Sequence, residues 1–188
     1  MPDAPLDLPS RKEERARRFV LVCGTIFGVL VVLMALIAWS VIPSIERDPE
    51  AVREEMRTLA GDLEIPAGFA PLKTVHVKPF GLISGRTATY AGPLEGQYVT
   101  ASLYERAEEL PGQARLELTD ETEHELEVLG QPATARIGEL PGGAEGAKLR
   151  VAVVAAPTDR GTLQVSVTGP QNGFDDEAAL RVLRSIGR

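Results

Sequence analysis

The chain has one cysteine in 188 residues, Cys23, and none after it. Disulfides therefore contribute nothing to the part that follows, and thiol chemistry is excluded there. Histidine is almost as scarce: His76 and His124 are the two in the chain. A nucleophilic triad needs a base beside its serine, so one of these two would have to supply it. No Gly-x-Ser-x-Gly elbow is present, and Gly81-Leu82-Ile83-Ser84-Gly85 has the wrong middle residue. The glycine-bearing stretches 141–146 and 169–173 lack a P-loop lysine and a dinucleotide fingerprint, so they read as loops.

Charge is missing from one long stretch. Phe19 to Ile42 carries no charged side chain over 24 residues. A helix of that length spans roughly 36 Å, enough for a hydrocarbon core of about 30 Å. A transmembrane helix is therefore expected over 19–42, entered by a basic cytoplasmic tail over 1–18. Arg11, Lys12, Arg15, Arg17 and Arg18 precede the run; Arg47, Arg53 and Arg57 follow it among several acids. Cations resist translocation, so the N-terminus is expected in the cytoplasm and the remainder outside. Trp39 suits an interfacial aromatic, and Pro43 a helix stop. A cleaved secretory signal shares the basic start, but its apolar region is usually about 7–15 residues. Cys23 opens the run instead of closing it, which reads as an ordinary apolar position rather than a lipidation site.

From Glu46 to Arg188 there are 15 Lys/Arg and 23 Asp/Glu, a net charge of −8. Nucleic acid and anionic lipid are poor partners for such a surface, since both need basic patches. The excess of arginine over lysine and the plentiful Ala, Gly and Pro suit a GC-rich bacterial source, making the outer compartment periplasmic or extracellular.

Asp48-Pro49 reads as an N-cap and first helical residue, and Val52, Met56, Leu59 and Leu63 form an apolar stripe ending near Gly61. The segment 43–61 is expected as a juxtamembrane helix and linker, leading to an outer domain over 62–188. There the period changes to two. Strands are expected at Thr74–Lys78, Arg86–Ala91, Tyr98–Tyr104, His124–Val128 and Ala133–Ile137, and a hairpin joins the strands around Leu149–Ala155 and Leu163–Val167 through Asp159-Arg160-Gly161. Asp175 to Ile186 closes the chain as a helix, with Ala179, Val182, Leu183 and Ile186 on one face. The expected fold class is α+β: the transmembrane helix, then a small antiparallel sheet packed with an N-terminal and a C-terminal helix.

The Ile65-Pro66-Ala67-Gly68-Phe69 entry, the strand Leu163-Gln164-Val165-Ser166-Val167 and the helix ending Val182-Leu183-Arg184-Ser185-Ile186 together resemble the PsbP/Mog1-like α/β/α sandwich. The resemblance spans about residues 62–187. It implies a binding or assembly module and assigns no functional residue.

His76 alternates with Val75 and Val77, which places it on the opposite, solvated face of its strand. His124 lies in the densest polar cluster, where Glu121, Glu123, Glu125 and Glu127 share one strand face and His124 the other. Position 128 is Val where a zincin motif requires a second His, and EF-hand spacing is absent. A solvated acidic edge is the preferred reading. Tyr90, Tyr98 and Tyr104 are candidates for a binding patch, with cover by a helix as the alternative. The expected function is a non-catalytic binding or assembly module on a single-pass membrane protein. The partners are the bilayer through residues 19–42 and a protein at the outer surface. No cofactor, metal or catalytic residue is assigned. The alternative is a membrane-anchored, metal-dependent hydrolase using Glu121, Glu123, Glu125 and His124.

Overall fold

The computed structural model describes residue 31 and residues 44–77, 84–106, 116–141 and 148–187. The chain divides into two compact units, Met1–Ile42 and Pro43–Arg188. The described residues of the second unit hold eight strands: β1 (Ser44–Glu46), β2 (Ala70–Val77), β3 (Ser84–Ala91), β4 (Tyr98–Glu105), β5 (Thr119–Val128), β6 (Gln131–Leu140), β7 (Leu149–Thr158) and β8 (Gly161–Pro170). They form one antiparallel sheet in the order β1-β2-β3-β4-β8-β7-β6-β5. Helix α1 (Pro49–Ala60) lies between β1 and β2, and α2 (Asp176–Arg184) follows β8.

Local chemistry explains the helix ends. Asp48 accepts the Glu50 N–H at 3.1 Å, Pro49 opens α1, and the N–H of Gly61, at φ 78°, closes it on the Arg57 carbonyl. Asp175 caps α2 by accepting the Ala178 N–H at 3.0 Å. Asp176 and Glu177 stand in the first turn of α2 and Arg181 and Arg184 in its last, as the helix dipole favours.

Helices α1 and α2 pack on the same face of the sheet. Val52, Met56 and Leu59 of α1 and Ala179, Val182 and Leu183 of α2 join Ala88, Val99, Ala101, Leu103, Leu163 and Val165 in one core. A fully buried Val or Leu contributes about 1.5–3 kcal/mol, so this stripe-on-sheet contact dominates the stability. Central β7 is apolar on both sides: Ala152, Val154 and Ala156 face the helices, while Val151 and Val153 are buried on the other face.

The expected α+β class, with an N-terminal transmembrane helix and a small sheet, is overturned. The eight-stranded sheet dominates, and the helices are short, at 12 and 9 residues. Among the described residues no helix is long and apolar enough to cross a membrane. Apart from Val31, the stretch 19–42 lies outside the described residues. The sheet is larger than the sequence predicts because its strands run past their apolar alternation. β5 starts at Thr119, where Asp120 takes φ 50° and the register shifts before Thr122. β1 is a further strand, pairing Ser44–Glu46 with Thr74–His76. The β5–β6 turn is Leu129-Gly130, both at positive φ, one residue ahead of the expected Gly130-Gln131-Pro132; Pro132 sits inside β6 opposite Glu127.

Candidate functional site

Glu55 is a carboxylate on the apolar stripe of α1, three residues after Val52 and four before Leu59, and is 9% exposed. Such a group needs partners, because burying an unpaired charge is costly. Arg86 of β3 supplies them, donating Nε at 2.8 Å and Nη2 at 2.6 Å to the two carboxylate oxygens. The parallel pair of bonds fixes both groups in one plane. The hydrogen bond to Glu55 raises the Arg86 pKa above its ordinary value, aided by the charges of Glu55 and Glu105 and opposed by burial. The β2–β3 register places His76 opposite Arg86. His76 Nε2 lies 3.5 Å from Glu55 Oε1, within ion-pair reach but long for a hydrogen bond. That nitrogen is buried with no hydrogen-bond partner among the described residues.

Beside this clasp, the Ser84 hydroxyl donates to Glu105 of β4. His76, Val77, Ser84, Gly85, Arg86 and Glu105 line a cleft of about 310 Å³ at the end of the sheet where the chain enters. The serine is bound to a carboxylate and not to the histidine. The arrangement holds α1 on β3 and presents alternating charges.

At the other end of the sheet, Arg150 donates to both oxygens of Asp176 at 2.9 Å, fixing the start of α2 on β7. Glu139 accepts from Gln171 nearby. Hydrogen bonding to Arg150 lowers the Asp176 pKa, aided by the charges of Arg150 and His124 and opposed by burial. A smaller apolar pocket of about 150 Å³ lies there, between Phe69 and Phe174.

The face opposite the helices is hydroxylic. Thr87 and Ser102 share a hydrogen bond of 3.0 Å, with half-buried Thr100 and Ser166 beside them, while Thr89, Thr162 and Gln164 on the same face are buried. Tyr98 and Tyr104 are on this face, with Tyr98 38% exposed, whereas Tyr90 is buried under α1. The tyrosines thus divide between the two readings. Burial raises the pKa of Tyr90, which Arg53 opposes; burial also raises that of Tyr104, opposed by its hydrogen bond with Ser102. The segment leading into β5 crosses part of this face at β6. There Arg136 donates to the Leu116 carbonyl at 3.2 Å, and Gly138 lies beneath Leu118 and Thr119.

Expected site residues fall differently from their motifs. His76 is not on a solvated face: with buried Thr74 it faces α1, while Val75 and Val77 point the other way. Glu121, Glu123, Glu125 and Glu127 do share a face opposite to His124, along the edge of the sheet. Arg136 meets Glu121 at 3.3 Å. Among the described residues no three His, Cys, Asp or Glu groups are placed to hold a metal ion. Residues 81–83 of the Gly81–Gly85 segment lie outside the described residues. Sequence reasoning missed Glu55, whose signal was a carboxylate inside an apolar helical stripe. The chain matches no family model, no curated protein and no solved structure.

Proposed function

We propose that the chain is a protein-binding module, held at the outer surface of a membrane by its uncharged stretch 19–42 and acting through the helix-free face of its sheet. One observation carries this reading: both described helices pack on one side, so the Thr/Ser face of β3 and β4, with Tyr98 at its rim, has no helix over it among the described residues. Hydroxyl and tyrosine side chains give adaptable hydrogen bonds and amphipathic contact area, which suits a protein surface. The net charge of −8 from Glu46 onward favours a partner of opposite sign. The hydrolase reading needs Glu121, Glu123, Glu125 and His124 to converge, and the strand sets His124 apart from the three carboxylates.

The test is photo-crosslinking of the full chain in its own membrane. A photoreactive residue at Thr100, on the helix-free face, should capture a defined protein, and one at Arg57, on the outside of α1, should not. Equal labelling from both positions, or none from Thr100, would refute the reading.

A further inference from the structure

The far edge of the same sheet, four strands from β4, indicates which kind of partner docks on it, and the inference rests on the binding reading above. β5 is the last strand of the sheet, and among the described residues no other strand pairs with its outer side. The opposite edge is blunted. β1 covers β2 along Ser44–Glu46, Pro71 interrupts the donors of β2, and the register shifts between Pro71 and Lys73. β5 contains neither proline nor lysine, and its irregularity is confined to its start, between Thr119 and Thr122. From Thr122 to Val128 it is regular, paired residue by residue with β6. A regular open edge offers unpaired backbone donors and acceptors to an incoming strand.

Charge selects the strand. Glu121, Glu123, Glu125 and Glu127 line one side of this edge, and Arg136 pairs with Glu121. No ion pair engages Glu123, Glu125 or Glu127 among the described residues. A second copy is the wrong occupant. Antiparallel pairing of two β5 strands about a two-fold axis keeps each residue on its own face, so glutamate meets glutamate, and like charges directly opposite destabilise a sheet. We propose that β5 accepts a strand from a protein partner carrying lysine or arginine at alternate positions. The cations lie beside Glu123, Glu125 and Glu127, and β-branched apolar residues lie between them, beside Leu126.

The experiment uses the full chain in detergent micelles and a short fluorescent peptide of alternating lysine and valine, followed by anisotropy. A control peptide keeps the charge but replaces valines by proline, which cannot join a ladder. The alternating peptide should bind, and the proline peptide about tenfold more weakly. E123K/E125K should lose about tenfold in affinity for the lysine peptide and gain a glutamate–valine one. E123Q/E125Q, which keeps the shape of the side chains, should fall between, and circular dichroism should show both variants folded. Equal binding of the proline peptide would reduce the effect to bulk charge and overturn the proposal, as would no binding of the alternating peptide. Partner capture from membrane extract distinguishes the two readings. A partner retained fully by E123K/E125K sinks the strand inference alone, and no partner for the unaltered chain sinks the binding reading itself.

Discussion

Ser185 Oγ accepts the backbone N–H of Glu64 at 2.9 Å, while its own hydroxyl proton goes to the Val182 carbonyl at 2.7 Å. One 2% exposed side chain thereby joins the end of α2 to the segment leaving α1. Ser185→Ala leaves a partly buried N–H without its acceptor, which costs about 1–3 kcal/mol. Thermal melting of the full chain in detergent should show this loss. Thr58→Ala, which removes an exposed hydroxyl bonded to the Glu54 carbonyl, should change stability by less than about 0.5 kcal/mol.

The Glu55–Arg86 pair predicts a strong asymmetry between single and paired replacements. Arg86→Ala strands the carboxylate of Glu55 in a site where it is 9% exposed. Removing one partner of a buried pair costs about 3–5 kcal/mol, and the 27% exposure of the Arg86 side chain puts this case at the lower end. Replacing both by leucine should cost much less, since no charge is left unpaired. Denaturant midpoints of Arg86→Ala and of the double leucine variant decide it.

Asp176 predicts the direction of an acid limb. Its folded pKa lies below the ordinary value of 3.8, first because it accepts hydrogen bonds from Arg150. A depressed carboxylate pKa means that the pair's stabilisation is complete above the unfolded value and is lost as pH falls through the folded one. The side chains are 22% and 41% exposed, so the pair contributes about 1 kcal/mol at neutral pH. Asp176→Asn should lower the melting temperature at neutral pH, and the two stability curves should converge as the solution is acidified below about pH 4.

Two glycines of the hairpin turns should respond very differently to alanine. A Cβ on Gly161, at φ 146°, would lie 2.1 Å from the Tyr104 carbonyl oxygen, a backbone atom that cannot yield without breaking β4–β8 pairing. Gly161→Ala should cost more than about 4 kcal/mol or prevent folding. Gly130 has φ 73° but nothing within 4 Å of its Cβ position, so Gly130→Ala should cost only the left-handed strain of about 1–2 kcal/mol. Comparing their melting temperatures separates a steric clash from a conformational preference.

Elements whose local chemistry and burial agree were legible in the sequence. Asp48-Pro49 and Gly61 mark the ends of α1, and the stripe Ala179, Val182, Leu183 and Ile186 is buried as its spacing requires. The hairpin at Asp159-Arg160 and the facing of Val99, Ala101 and Leu103 also follow from turn chemistry and period-two alternation. The reading failed where a strand's neighbours decide its faces. Val75 and Val77 look like core residues, yet α1 lies over Thr74 and His76, because Glu55 on that helix offers the histidine and Arg86 a charged partner. β7 misleads in another way, since Val151 and Val153 alternate convincingly while Ala152 and Val154 are equally buried on the helix side. The strand Thr119–Val128 carries too many carboxylates for alternation to reveal its start. Its extent comes from backbone pairing with β6.

The three residues of β1 have a mechanical consequence. They are the first part of the folded unit, and they grip the sheet through the pairs Ser44–His76, Ile45–Val75 and Glu46–Thr74. A force applied along the chain ahead of Ser44 loads these pairs before it reaches α1 or the strands behind it. β1 can peel away and add slack to the polypeptide while the remaining seven strands keep their order.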